Sequence, residues 1–156
     1  DVPNMLRELG ALVNRSEAAE RFACELEALL IELLESPLPA TRVAPMIWHD
    51  PLMSVGPEKY AGGLLTTLGL SVPSLVEGGN GYPVVTVEAL KQHNIEALLL
   101  SSEPHRFALE EGEDIAAQVI AQGGQTMWCK CIDGEALTWF GTHTSEGLRL
   151  LRKALN

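Results

Sequence analysis

Histidines, acids and tryptophans stand together in three short segments, each of which closely follows an apolar run. The segments are residues 48–51 (WHDP), 101–105 (SSEPH) and 133–140 (DGEALTWF). Imidazole and carboxylate side chains could take part in acid–base chemistry or hold a metal ion. Indole rings could instead offer flat apolar faces to a ligand. The alternative is that these are ordinary polar loops, and residue types alone do not decide between these interpretations.

No specific enzymatic motif accompanies these segments. The side chains that could perform acid–base chemistry or hold a metal ion are His49, His105, His143, Asp50 and Glu103. None of the histidines has a partner at the i, i+4 spacing of a helical metal motif, so the sequence names no metal ligand. A glycine-rich phosphate loop after a strand and a G-x-S-x-G nucleophile turn are also absent, so no catalytic residue is predicted.

The three cysteines do not predict a metal site or a disulfide framework. Cys129 and Cys131 lie two residues apart on a predicted strand, so their side chains face the same way. Zinc needs four ligands, and no second pair accompanies these two. Cys24 falls within a predicted helix among apolar residues and is expected to be a small core residue.

The charge balance argues against two classes of partner. The chain has 11 basic and 21 acidic residues, a net charge of −10. Nucleic acids and anionic lipids both need clustered lysine and arginine, so neither is expected to bind. No apolar run is long enough to span a bilayer, so no membrane insertion is expected. The chain opens on Asp1 without the features of a signal peptide; a processed protein would look the same, so the compartment stays open.

Two helices are predicted before any strand. Apolar residues at helical spacing predict a short helix over residues 3–12 and a helix of about five turns over 16–35. Ser16 is the predicted N-cap of the longer helix, and Pro37 and Pro39 end it. This long helix could serve as a surface helix or as a connecting strut.

From residue 42 the chain alternates between strands and helices. The predicted strands are residues 43–48, 95–101 and 126–132, and the predicted helices are 57–68, 86–93, 110–122 and 145–155. This alternation predicts an α/β fold with a mostly parallel sheet covered by helices on both faces. Pro45 would suit an edge strand or a bulge, and Asp133-Gly134 predicts a turn. Ligands gather at the carboxyl ends of such strands, where the three segments lie.

Four motifs in order resemble those of the cobalamin and ferric-siderophore binding proteins of ABC importers. They are WHDPLMSVG at 48–56, GYPVVTVEAL at 81–90, SSEPHRF at 101–107 and DGEALTWFG at 133–141. The resemblance implies two Rossmann-like lobes that are joined by one long helix and hold the ligand between them. Residues 1–36 would be the linker and backbone helix, and 37–156 the C-terminal lobe. The first lobe would lie outside this chain.

The function that this resemblance implies is transport rather than catalysis. The protein would bind cobalamin, a ferric siderophore or a haem-type chelate and deliver it to the permease dimer of an ABC importer. The only metal would be the cobalt or iron of the transported ligand, and no cofactor is implied. The location would be the periplasm, or the cell surface through a lipid anchor. The alternative is a chelatase-like enzyme or regulatory domain on a similar sheet, in which His49 or His143 would hold a metal ion.

The resemblance also implies site residues. The implied ligand-binding residues are Trp48, Tyr82, Glu103, Trp139 and Phe140. We expect Trp48, Tyr82 and Trp139 to be exposed at one end of the sheet; the alternative role for each is a structural loop anchor. Glu88 matches the acid that docks onto permease arginines and is expected to be exposed and unpaired within its own chain. Its alternative role is to stabilise the start of a helix.

Overall fold

The computed structural model describes residues 1–77 and 80–156. Its first two helices are α1, Val2–Leu12, and α2, Ser16–Glu35. The prediction of one continuous long helix is confirmed. The predicted N-cap is wrong, because Ser16 is already helical and Arg15 precedes the helix without a capping side-chain hydrogen bond. Among residues 1–77 and 80–156, no helix combines the length and the apolar composition that crossing a membrane requires.

A helix that connects two lobes is expected to stand apart from this lobe, but helix α2 packs onto it. Leu26, Leu29 and Leu33 on its inner face are buried in the same core as the sheet. Cys24 lies off this face and is exposed, with its Sγ donating to the carboxylate of Glu20 at 3.2 Å. The prediction that Cys24 is a core residue is therefore wrong, because it falls one position past the buried stripe of the helix.

Ion pairs connect α2 to two of the helices that pack against it. Arg7 of α1 reaches Glu20 at 2.9 Å and Glu27 at 2.6 Å. The arginine hydrogen bond lowers the pKa of the Glu20 carboxyl to about 2. Arg149 and Arg152 of the C-terminal helix make the equivalent contacts on the other side of α2, with Glu25 at 2.8 Å and Glu32 at 3.3 Å.

The sheet has four strands in the order β2-β1-β3-β4. These strands are β1, Val43–Trp48; β2, Met53–Ser54; β3, Ala97–Ser101; and β4, Trp128–Ile132. β1, β3 and β4 are parallel, which confirms the predicted mostly parallel sheet, and β2 runs antiparallel to β1. β2 was not predicted, because two residues are too few to show the alternation of a strand.

Pro45 lies in an interior strand and not at the edge that its missing N–H favours. Its carbonyl accepts from the Val55 N–H at 3.1 Å and from the Ser54 hydroxyl at 2.8 Å. In a strand, the N–H and the carbonyl of one residue point towards the same neighbouring strand. The N–H that Pro45 lacks would therefore point towards the end of the short β2. The register between β1 and β2 shifts just beyond this point, between Met46 and Trp48. A proline is tolerated here because β2 ends at the same place.

Five further helices in the described residues cover the sheet. They are α3, Tyr60–Thr67; α4, Val87–Gln92; α5, Leu109–Ala121; α6, Gly134–Thr138; and α7, Thr144–Leu155, with a 3₁₀ turn at Gly141–His143. α6 stands where a turn was predicted. It forms because the Asp133 carboxylate accepts hydrogen bonds from the first amides of the helix, including that of Glu135 at 2.9 Å.

Each face of the sheet supports its own hydrophobic core. Alternate residues of β3 divide between the two: Ala97 and Leu99 pack with α2, α3, α6 and α7, while Leu98 and Leu100 pack with α4 and α5. Every residue of β3 is buried. This confirms the predicted strand with two covered faces and the Rossmann-like arrangement of the lobe.

Candidate functional site

The polar segments that follow the three parallel strands lie together at the carboxyl ends of these strands, along one edge of the sheet. Trp48 is the last residue of β1, Glu103 follows the end of β3 by two residues, and Asp133 follows β4 directly and leads through α6 to Trp139. We call this side of the lobe the carboxyl edge. In open parallel sheets, ligands bind outside this edge.

Four aromatic side chains are exposed at or beside the carboxyl edge. Trp48 is 41% exposed, Tyr82 45%, Trp139 52% and Phe140 64%. The expectation that the two tryptophans and Tyr82 are accessible is confirmed, whereas their role as ligand contacts stays a prediction. Tyr82 reaches this edge because the backbone on either side of it pairs with the loop after β1: Gly81 accepts from Gly56 at 2.9 Å, and Pro83 accepts from Ser54 at 3.1 Å.

A small cavity joins Tyr82 to the end of α6. Its volume is about 220 Å³, and its lining residues are Ile47, Val55, Tyr60, Ala61, Tyr82, Pro104 and Thr138. Of the implied ligand-binding residues, Tyr82 lines this cavity, whereas Glu103 and Trp139 are next in sequence to the lining residues Pro104 and Thr138. Lys59 lies beside it, with its ammonium 4.9 Å from the centre of the Tyr82 ring, which is a cation–π contact.

Trp139 and Phe140 are exposed but held in place. The Trp139 indole Nε1 donates to Glu103 Oε1 at 3.1 Å, and its backbone carbonyl accepts from the Tyr60 hydroxyl at 3.2 Å. The Trp139 ring meets His143 edge-on, with centroids 5.9 Å apart, and Phe140 meets Tyr60 in the same way at 5.9 Å. Tyr60 thus helps to hold both exposed rings.

Glu103 binds its neighbours through a single carboxylate oxygen. Besides the Trp139 indole, Oε1 accepts from the Thr138 hydroxyl at 3.0 Å. The backbone of Glu103 is held as well, since its carbonyl accepts from the Ser101 hydroxyl at 2.7 Å. The carboxylate that the resemblance implies as a ligand contact is therefore engaged by the tryptophan beside it.

Trp48 lies in a different environment, on a group of two histidines and one acid. Its ring meets His105 edge-on at 6.1 Å, and in the described parts of the chain it forms no aromatic pair with Tyr82 or Trp139. His105 stacks on His49 at 5.6 Å, and His105 Nε2 lies 3.1 Å from Glu111 Oε1. The carboxyl edge is therefore divided into the cavity of Tyr82 and this imidazole group.

Glu111 joins the two histidine-bearing loops to α5. Its other oxygen accepts from the Ala108 N–H at 2.7 Å, and this hydrogen bond, followed by that of His105, lowers the pKa of the carboxyl. Within residues 1–77 and 80–156, no group of three or more histidine, cysteine, aspartate or glutamate side chains is arranged to hold a metal ion. His143, the other metal ligand of the enzymatic alternative, lies apart and 3.6 Å from Glu146.

Glu88 lies in the first turn of α4, where Thr86 caps the helix by accepting from the Ala89 N–H at 3.2 Å. Its side chain is 48% exposed. The expectation that it is unpaired is wrong, because Lys91 binds one oxygen at 3.2 Å and Gln92 the other at 3.0 Å. Both lie at helical spacing, i+3 and i+4, where side chains meet. The hydrogen bond from Lys91 lowers the pKa of Glu88.

Two side chains that support the site could not be identified from the sequence. In the sequence, Tyr60 is one residue of the predicted helix 57–68, and Glu111 is one residue of the predicted helix 110–122. Both act through contacts with residues far along the chain, Tyr60 with Trp139 and Glu111 with His49. No local pattern marks such contacts.

The fold is that of a lobe of the periplasmic solute-binding proteins that carry haem, vitamin B12 or iron. A structure described as a possible iron-binding (periplasmic solute-binding) protein from Staphylococcus epidermidis matches 98% of this chain and 60% of its own, with a TM-score of 0.73 and 16% sequence identity. The resemblance of the four motifs is therefore confirmed for the fold.

Two further solved structures match as completely. The periplasmic heme-binding protein of Roseiflexus sp. RS-1 matches 98% of this chain and 61% of its own, at 14% identity and a TM-score of 0.67. The periplasmic vitamin B12 binding protein of Vibrio cholerae matches 99% and 61%, at 12% identity and a TM-score of 0.68. The chain spans about 60% of the length of these structures. No family model matches the chain, and no curated protein matches it in sequence.

Proposed function

We propose that this protein is the substrate-binding component of an ABC importer, and that it carries a cobalamin, ferric-siderophore or haem-type ligand without performing chemistry on it. The observation that carries this proposal is the set of exposed aromatic rings at the carboxyl edge, defined by Trp48, Tyr82, Trp139 and Phe140. The fold supports it, since solved structures with this fold are described as binding haem, vitamin B12 or iron.

Large flat ligands suit such a surface. Each buried aromatic side chain removes about 150–250 Å² from water, and it loses little conformational freedom because it has only two torsions. A binding site normally buries most of its ligand, which a single open edge does not do. We therefore propose that residues 1–36 and 37–156 are the backbone helix and second lobe of a two-lobed protein, and that the ligand is held between this edge and the first lobe.

The proposal extends to the partner and the location. Glu88 is exposed at the start of α4, and Lys91 and Gln92 hold it only from its own helix. An arginine of a permease could replace the lysine as its partner and form a charge-assisted pair. We propose that this lobe docks on the permease dimer through Glu88, in the periplasm or at the cell surface through a lipid anchor.

Ligand binding by the protein purified from its own host tests the proposal. Mass spectrometry of the released small molecules is expected to find a corrin, a porphyrin or a ferric chelate. Titration with haemin, cyanocobalamin and a ferric catecholate is expected to show tight binding of one of them. A protein that retains none of these ligands and binds none in titration would contradict the proposed function.

Two tryptophans of similar exposure provide a matched control. Trp139 lies at the carboxyl edge, whereas Trp128 is the first residue of β4 and lies at the opposite end of that strand, 45% exposed. Trp139→Ala is expected to weaken binding of the identified ligand, and Trp128→Ala to leave it unchanged. Equal effects of the two substitutions on affinity would show that the aromatic rings of this edge are not part of the binding site.

A further inference from the structure

We propose that Glu103 is a positioning residue: its carboxylate fixes the orientation of the exposed Trp139 indole, so that the ring meets the ligand already ordered. This inference rests on the proposed function and deepens it. It assigns Glu103 to the support of a ligand contact instead of to the contact itself.

The Trp139 side chain is half exposed yet held from several directions. Its Nε1 donates to Glu103 Oε1 at 3.1 Å, its ring meets His143 at 5.9 Å, and its backbone carbonyl accepts from the Tyr60 hydroxyl at 3.2 Å. Of these contacts, only the hydrogen bond to Glu103 fixes the rotation of the indole through a directional bond to its polar atom. A bond from a neutral donor to a carboxylate is stronger than one between neutral groups.

Glu103 can act in this way because its own position is fixed. The Ser101 hydroxyl donates to its backbone carbonyl at 2.7 Å. The first residue of α6, Gly134, packs directly against it: a Cβ at Gly134 would lie 2.7 Å from the Glu103 nitrogen and would overlap its Cγ. The absence of a side chain at Gly134 therefore lets α6 approach Glu103 closely enough for the hydrogen bond to its C-terminal end.

Ordering an aromatic ring before the ligand arrives has a direct effect on affinity. An exposed side chain that rotates freely loses that freedom on binding, and the loss opposes association. Rigid aromatic side chains are preferred in binding surfaces for this reason. The Glu103 hydrogen bond already restricts the rotation of the Trp139 indole in the unbound protein. Ligand binding therefore does not have to offset this loss of side-chain entropy.

Glu103 also has a structural contact, which the test must separate from the positioning role. The single proton of the Thr138 hydroxyl is shared between the same oxygen, at 3.0 Å, and the Gly134 carbonyl, at 2.8 Å. Thr138→Val removes this contact and leaves the bond to the indole. In contrast, Glu103→Leu removes both bonds, and Glu103→Gln keeps an oxygen acceptor at the same place. Oε2 of Glu103 makes no hydrogen bond within residues 1–77 and 80–156, so the amide nitrogen of the glutamine has room there.

The test uses Trp139 as its own probe. In the full protein with Trp48→Phe and Trp128→Phe, it is the remaining tryptophan of this chain; tryptophans in any flanking chain are likewise replaced. We expect Glu103→Leu to lower the fluorescence anisotropy of Trp139 and to increase its quenching by acrylamide. Glu103→Gln is expected to restore both signals, and Thr138→Val to leave them near those of the parent. Circular dichroism confirms that each variant is folded.

Binding is measured on the same Glu103 substitutions made in the protein that keeps Trp48 and Trp128, with the ligand that titration identifies among haemin, cyanocobalamin and a ferric catecholate. Glu103→Leu is expected to weaken it about three- to tenfold, the effect of ordering one side chain, and Glu103→Gln to recover most of the loss. Unchanged anisotropy and quenching in Glu103→Leu would overturn the proposal. A mobile Trp139 with unchanged affinity would overturn it as well, since the ring would not need to be ordered.

The failure of the proposed function gives a different result. If the protein with its three tryptophans in place binds none of the three probes, the importer function is rejected, and the claim that Glu103 prepares a ligand contact is rejected with it. The fluorescence comparison of Glu103→Leu with Glu103→Gln then still decides whether the carboxylate orders the indole.

Discussion

The hydroxyl of Tyr60 lies 2.9 Å from the hydroxyl of Thr144, which joins the start of α3 to the start of α7. Tyr60 also lies 3.2 Å from the Trp139 carbonyl, which can only accept. The proton of Tyr60 therefore goes to Trp139, and Thr144 donates to Tyr60. One phenol holds the exposed tryptophan and two helices together.

Tyr60→Phe is expected to destabilise the fold by about 1–2 kcal/mol, because a single substitution leaves the Trp139 carbonyl and the Thr144 hydroxyl each without a partner. Urea unfolding monitored by circular dichroism measures the change. Tyr82→Phe is the control, since the Tyr82 hydroxyl makes no hydrogen bond in the part of the chain that the structure describes, and it is expected to be nearly neutral. Equal stability of the two variants would contradict the shared role of Tyr60.

Two adjacent glycines of α3 are expected to respond in opposite ways to alanine. A Cβ at Gly62 would overlap the Gly56 carbonyl and lie 2.8 Å from Pro57 Cα, whereas a Cβ at Gly63 meets no atom within 4 Å. Gly62→Ala should destabilise the fold by about 1–3 kcal/mol through overpacking. Gly63→Ala should stabilise it by about 0.5–1 kcal/mol, because alanine favours the helix. Thermal unfolding of the pair is the measurement, and a loss of stability in Gly63→Ala would show that α3 is packed differently.

The framework of the fold could be predicted from the sequence because it depends on patterns that burial imposes locally. The unbroken apolar run of β3 is compatible only with a strand buried on both faces, and the helical spacing of α2 only with a helix buried on one face. Both elements formed as predicted. Where a pattern was interrupted, the prediction was less accurate. Asp133-Gly134 indicated a turn, and only the capping of the following amides by Asp133 makes it a helix.

The arrangement of the site could be predicted only in part. The exposure of Trp48, Tyr82 and Trp139 could be expected from the family resemblance, because these residues would face a first lobe that lies outside this chain. The bond between Glu103 and Trp139 could not be predicted, because these residues are 36 positions apart and meet only once α6 has formed. The pairing of Glu88 with Lys91 was available from their spacing, since i+3 neighbours on a helix meet.

Low pH is expected to weaken the ion pair between Arg7 of α1 and Glu20 of α2. The pKa of Glu20 falls from 4.5 to about 2 in the folded protein because Arg7 binds it. A carboxyl whose pKa is lower in the folded state stabilises the fold above pH 4.5, and this contribution is lost as the pH falls towards 2. The urea midpoint should therefore decline across this window in the parent protein, and less steeply in Arg7→Met.

Arg15→Met provides the control for this pH series. Arg15 lies in the short connection between α1 and α2 and, within residues 1–77 and 80–156, forms no salt bridge. Its substitution is expected to leave the decline of the midpoint between pH 4.5 and 2 as steep as in the parent. Added salt should reduce the contribution of Arg7, since exposed ion pairs are screened. An equal pH slope in Arg7→Met and in the parent would show that this ion pair does not contribute to stability.

Glu88 is expected to affect transport and not ligand binding. In vesicles reconstituted with the permease and its ATPase, Glu88→Ala should reduce the stimulation of transport, because the permease loses a charge-assisted partner. Glu88→Arg should reduce it further, since it adds repulsion between like charges. Affinity for the ligand, measured by titration, should stay near that of the parent in both variants.

A second first-turn acid separates docking from helix stability. Glu110 lies in the first turn of α5 and is exposed, as Glu88 is in α4. Loss of either acid should lower stability slightly, because a negative charge in the first turn interacts favourably with the helix dipole. Only the loss of Glu88 should reduce transport, so Glu110→Ala serves as the control. Weakened ligand binding in Glu88→Ala would place this residue in the ligand site. If Glu88→Ala and Glu110→Ala transport equally well, Glu88 has only the helix-stabilising role.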